Sequence, residues 1–254
     1  MTSKALRLII LVIVCNLHIA TSSLAGQQVA DPADTEIWDP EPAIVNAESA
    51  TLPPSDAIVL LGDTGLSMWQ HLDGSDAKWD FADGVMTVAA GTLDIETRQS
   101  FADVQLHIEW RAPAKVEGDS QERGNSGVFL QKLYEVQILD SYRNRTYANG
   151  QAASIYKQHI PLVNASRAPG EWQNYDIIFS APEFGNGGSM LQPAYLTVLH
   201  NGVLVQNHAE LLGPTVYIGE PAYKKHPARQ PLMLQDHGNP VSYRNIWVRD
   251  LSAE

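Results

Sequence analysis

The feature that most limits how this 254-residue chain can fold is AYLTVLHNGVLVQNHAE, from Ala194 to Glu210. Two alternating apolar stretches flank Asn201–Gly202, a dipeptide that suits the two positive-φ corners of a type I′ hairpin. Such alternation buries one face of a strand and leaves the other to solvent or a partner. KWDFADGVMTVAAG repeats the arrangement around Asp83–Gly84. In DVQLHIEWRA, Leu106, Ile108 and Trp110 alternate with Gln105, His107, Glu109 and Arg111. SGVFLQ, YEVQILD, NYDIIFSAP, PLMLQD and SYRNIWVRDL read as further short strands between polar loops, and no long helical period interrupts them. The expected class is all-β, with two packed antiparallel sheets. Trp110 and Trp247, at apolar parity, are expected in the core.

The start of the chain follows different rules. Lys4 and Arg7 precede an apolar run from Leu8 to Val14, and SSLAG places small residues before a cut near Ala25. Residues 1–25 therefore read as a signal peptide, too short in its apolar part for a comfortable membrane span. The mature protein is expected to be exported, periplasmic or extracellular; an N terminus at Gly26 in the recovered protein is the direct check. The single cysteine, Cys15, leaves with the leader, so no disulfide is expected. Residues 26–56 are rich in Pro, Ala and acids and read as a flexible arm, and residues 57–252 as the compact domain.

A formal charge of −12 opposes binding to phosphate backbones, and no basic stripe with interleaved aromatics offsets it. Nucleic acid is excluded as a partner, as is any membrane role beyond export. A small neutral or cationic molecule fits better. Oligomeric state leaves no mark in the sequence.

The candidate site begins in YEVQILDSY, residues 134 to 142. Regular alternation turns Tyr134, Val136 and Ile138 one way and Glu135 and Gln137 the other. Asp140 has the wrong parity and joins them only through a bulge or turn near Leu139. Glu135 and Asp140 on one wall would form a candidate catalytic pair, with Gln137 between them; pairing of either with an arginine is the structural alternative. PLMLQDHG sets Gln235, Asp236 and His237 at a strand end, and His237 is the candidate base. His200 beside its hairpin, and Arg123 and Asn125 ahead of a strand, are candidate binding groups. Trp69, beside a loop, is the candidate stacking platform. No metal-ligand spacing occurs, so no ligand set is assigned.

GNSGVFLQKLYEVQILDSY, PGEWQNYDIIFSAP, LTVLHNGVLVQN and PLMLQDHGNPVSYRNIWVRDL together resemble the 3-keto-disaccharide hydrolase family, from about Ala57 to Leu251. The resemblance implies a concanavalin A-like jelly-roll sandwich and cleavage of glycosides already oxidised at C3, with a small carbohydrate as partner. Its recognisable polar positions would be Asn125, Glu135, Gln137, Asp140, His200, Asn201, Gln235, Asp236 and His237. The spacing of Glu135, Gln137 and Asp140 is also similar to the bulged signature of laminarinase-type glucanases, but with Gln at the central acidic position and the shorter Asp at the last. A 3-ketone acidifies the C2 proton, so the aglycone can leave by elimination. That needs a base near C2 (His237 or Glu135), a donor or cation at the ketone oxygen, and an acid at the glycosidic oxygen, with Asp140 as the acid or a cation ligand. Gln137 and Arg123 would grip the sugar, and a divalent ion such as calcium or zinc would serve the enolate without being required. Two alternatives remain: a non-catalytic carbohydrate-binding module on the same fold, and a laminarinase-like hydrolase.

Overall fold

A computed structural model describes residues 31–49 and 52–252. The expected signal peptide lies outside the described residues. The chain divides after Ile44 into two units. In the first, Pro32–Thr35 forms a 3-10 turn capped by the Asp31 carboxylate, which accepts from the Ala33 amide at 3.1 Å.

The second unit is a β-sandwich. Its larger sheet runs Val203–Glu210, Tyr195–His200, Gln173–Ser180, Val104–Arg111, Ser242–Asp250, Val85–Thr87 and Asp80–Ala82, and Ile58–Leu61 also pairs with Ser242–Asp250. Its smaller sheet runs Trp69–His71, Ile95–Phe101, Gln230–Leu234, Ser126–Leu130 and Tyr134–Ile138. Neighbours in both sheets are antiparallel, and the helical segments among the described residues are short 3-10 turns. The result is the concanavalin A-like jelly-roll sandwich. Both expected hairpins form. Asn201 and Gly202 have φ of 53° and 77°, and Asp83 and Gly84 have 51° and 75°, so both corners carry the left-handed pair their dipeptides favour.

The core lies between the sheets. Leu106, Ile108 and Trp110 meet Val128, Leu130, Tyr134, Val136 and Ile138 in one buried cluster. Each such side chain contributes about 1.5–3 kcal/mol by leaving water. Trp247 departs from expectation. The register of its strand shifts between Arg244 and Trp247, where Asn245 takes φ of 46°. That bulge turns Trp247 to the opposite face, where it is buried by stacking on His107 with centroids 5.1 Å apart.

Two phenols tie the sheets together. Tyr175 of the larger sheet donates to the Gln137 carbonyl at 2.9 Å, and the Tyr243 hydroxyl lies 2.6 Å from Ser126 Oγ. Burial pushes both phenols up in pKa, which keeps them neutral donors. The strand bearing the candidate site is therefore braced from beneath. On the far edge, Asp56 pairs with Arg249 at 2.7 Å, and Asn46 and Ser55 bond to each other, so these residues belong to the second unit.

Candidate active site

Glu135 and Gln137 point away from the core, as their parity predicts, on the outer face of the smaller sheet. Across that face Glu135, Phe129, Met233, Glu96 and Gln70 stand in one row by strand register. Loops rise over one end of it and enclose a cleft of about 570 Å³. Five of the candidate residues meet there: Asn125, Glu135, Gln137, Gln235 and His237.

The Glu135 carboxyl is 5% exposed and has no hydrogen-bond or ion-pair partner among the described residues. It lies over Gly127, its neighbour on the adjacent strand. A Cβ at position 127 would come within 2.8 Å of Glu135 Oε1 and 2.7 Å of the Phe129 ring, so the glycine clears the space the carboxyl fills. The Glu135 backbone amide donates to Thr215 Oγ1 at 3.0 Å. Burial without a compensating charge pushes its pKa up to about 8. At neutral pH Glu135 carries a proton.

Beside it, two amide oxygens wait for donors. Gln137 gives its NH₂ to Gln121 Oε1 at 3.0 Å, and Asn125 gives its NH₂ to the Gln121 carbonyl at 2.7 Å. Gln121 is itself fixed, donating to Thr146 Oγ1 and the Gly150 carbonyl. Both amides are thus oriented with Gln137 Oε1 and Asn125 Oδ1 buried and unpartnered. In a folded protein such acceptors normally find a donor, and both residues line the cleft.

His237 is exposed on a loop that is itself pinned. Asp236 Oδ2 accepts from the Gly91 and Leu93 amides and its Oδ1 from Gly238, while Asn239 Oδ1 accepts from the Asn125 amide at 2.6 Å. The remaining wall comes from Tyr147, Tyr156, Lys157 and Tyr217. The Tyr147 and Tyr156 hydroxyls are 2.5 Å apart.

Four candidates lie elsewhere. Asp140 does not reach the wall of Glu135, because the strand ends at Ile138 with no bulge to reset its parity. It turns instead to Arg123, whose Nε donates to Oδ2 at 2.6 Å, and both line a separate recess. The structural alternative for this pair is what the geometry shows. His200 is buried in the larger sheet, its Nε2 2.8 Å from Gln173 Oε1 and its ring against Tyr175. Burial first, and the Arg167 charge second, bring its pKa down to about 3, so it is a neutral core residue. Trp69 is 1% exposed, with its indole N–H bonded to the Leu60 carbonyl, and offers no open face for stacking.

The family model of the 3-keto-alpha-glucoside-1,2-lyase-like domain matches residues 56–249. The chain belongs to this family. It is 49% identical to a Parabacteroides distasonis ATCC 8503 protein of known crystal structure, inferred to be a glycosyl hydrolase, with a TM-score of 0.83 over 87% of this chain and 97% of that one. A second crystal structure from the same organism, with the same inferred role, is 19% identical and has a TM-score of 0.55 over 78% of this chain and 94% of that one. That second likeness speaks for the fold alone. Among curated proteins none matches. Membership makes the chain a glycoside-cleaving enzyme of the hydrolase or lyase type, with a carbohydrate as its class of substrate.

Within this lyase-like domain, sequence reading missed Gln121, Tyr147, Tyr156, Lys157, Thr215 and Tyr217. All come from loops without a period, and the available signal was three tyrosines in segments otherwise too polar to be core. Tyr217, 70% exposed, supplies the open aromatic surface that Trp69 does not. For a divalent ion, the cleft floor offers one protonated carboxyl and two amide oxygens. Among the described residues no group of three His, Cys, Asp or Glu is arranged around a metal position.

Proposed function

We propose that the protein cleaves 3-keto-glucosides by elimination across C1 and C2, with water then adding back so that the net reaction is a hydrolysis. The observation that carries this reading is the Glu135 carboxyl, buried, unpaired and protonated on the cleft floor beside two free amide oxygens. A carboxyl in that state is a proton donor. It suits the acid at the glycosidic oxygen, a role the sequence reading gave to Asp140, with Glu135 as a candidate base. His237, on its pinned loop, suits the base that takes the C2 proton. Gln137 Oε1 and Asn125 Oδ1 suit two sugar hydroxyls, and the exposed tyrosines suit the apolar face of a ring.

The C2–H bond breaks with its proton passing to His237, and the pair forms an enolate with the C3 ketone. As the ketone re-forms, C1=C2 forms and the C1–O bond breaks, the aglycone oxygen taking the Glu135 proton. In the hydration step water adds to C1 and gives its proton to Glu135, while C2 regains one from His237. Both residues return to their starting states.

A retaining glucanase needs a second carboxylate roughly 5–5.5 Å from the first. Asp140, the residue expected there, is committed to Arg123. A binding module has no use for a carboxyl whose burial costs stability. The test is turnover of a 3-keto-glucoside against its unoxidised parent. Cleavage of the ketone alone is expected, by at least about a hundredfold. Equal turnover of both would sink the elimination mechanism, and binding without turnover of either would leave a module.

A further inference from the structure

Elimination through an enolate places negative charge on the C3 oxygen, while Glu135 and His237 are committed to the aglycone oxygen and C2 and the two amide oxygens are acceptors. Lys157 is the one lysine or arginine among the described residues lining the cleft. Its Nζ donates to the Tyr217 carbonyl at 2.8 Å and lies 4.2 Å from the Tyr217 ring centroid, with the Tyr147 and Tyr156 rings 5.6 and 5.8 Å away. No carboxylate comes within ion-pair distance of it among the described residues, and two of its three N–H donors are left over. Its backbone is in the left-handed region at φ of 59°, unusual for a residue with a Cβ. Lys157 N donates to the Asn149 carbonyl at 2.8 Å, and Tyr156 N to the Glu135 carbonyl at 3.3 Å. A strained lysine is thus tied to the strand of Glu135 and flanked by aromatic faces, which attract a cation.

We propose that Lys157 is the electrophilic group of the cleft, its ammonium donating a hydrogen bond to the C3 oxygen as it becomes an enolate. This rests on the elimination reading. No proton leaves the ammonium; it stabilises charge that exists only after the C2–H bond breaks, so its effect belongs to the rate and not to ground-state binding.

The test uses the full mature chain with methyl 3-keto-glucoside in D₂O, following C2–H exchange by NMR together with kcat, KM and melting temperature. Lys157→Met is expected to lower exchange and kcat together by about 10² with little change in KM, and Lys157→Arg to recover part of both. Wild-type exchange in Lys157→Met overturns the assignment. Should that variant fail to fold, Lys157→Gln, which keeps much of the stem, is read the same way. If the wild-type chain neither exchanges nor cleaves the substrate, the elimination reading fails and Lys157 with it. If it does both and the variants keep pace, only Lys157 is wrong.

Discussion

Glu135→Gln is expected to lower turnover of a 3-keto-glucoside with an alkyl aglycone by about 10² to 10⁴ while making the protein more stable at neutral pH. The two effects share one cause. The wild-type carboxyl is buried without a partner, so its proton is held up to about pH 8, whereas the unfolded chain releases it near the ordinary glutamate value of 4.5. A folded pKa above the unfolded one gives stability that is complete below pH 4.5 and is lost as pH rises through the window from 4.5 to about 8. At pH 7 that loss amounts to about 3 kcal/mol, which glutamine, neutral throughout and nearly the same shape, does not suffer. The checks are a melting curve and a rate measured on the same preparation. A variant that melts lower and keeps its activity would make Glu135 a structural residue.

The second large effect is expected at Asp140→Ala, and its direction is the reverse. Asp140 is 3% and Arg123 15% exposed at their side chains, and the carboxylate also accepts from the Tyr142 amide. Removing it leaves a largely buried guanidinium whose other hydrogen bond is to the Tyr142 carbonyl. That costs about 3–5 kcal/mol, or roughly 10 °C in melting temperature for a domain of this size. Because Asp140 faces a separate recess, protein still folded below the transition should keep its rate within about tenfold. A variant of unchanged stability with abolished activity would return Asp140 to the chemistry.

The contrast between these residues shows what the sequence could and could not reveal. Alternation placed Glu135 and Gln137 on the outer face and Tyr134, Val136 and Ile138 in the core, since period two leaves a strand no other choice. The hairpins at Asn201–Gly202 and Asp83–Gly84 were equally legible, because their φ requirements are local. Asp140 was not. Whether a strand bulges or stops at Ile138 is decided by what the next segment bonds to, and here the Asp140 amide donates to the Arg123 carbonyl, 17 residues back. Trp69 looked like a loop residue because its strand is only Trp69–His71, too short to show alternation. Trp247 was displaced by a bulge at Asn245 that no turn dipeptide announces. The tyrosine and lysine wall joins Tyr147, Tyr156 and Lys157 to Tyr217 from a distant loop, so no local pattern carried it. The perturbation of Glu135 was invisible for a related reason: it arises from the absence of partners, and a sequence displays only residues that are present.

The most direct test of the account is the pH dependence of kcat for two 3-keto-glucosides, one with an alkyl aglycone and one with a nitrophenyl aglycone. The alkyl alkoxide needs a proton to leave, and the nitrophenolate does not. If protonated Glu135 is the acid, the alkyl substrate shows a rate that falls as pH rises through about 8, and Glu135→Gln flattens that limb at a low level. The nitrophenyl substrate shows no such limb and retains most of its rate in the variant. An alkaline limb that persists in Glu135→Gln, or a variant equally slow on both substrates, would contradict the assignment of Glu135 as proton donor.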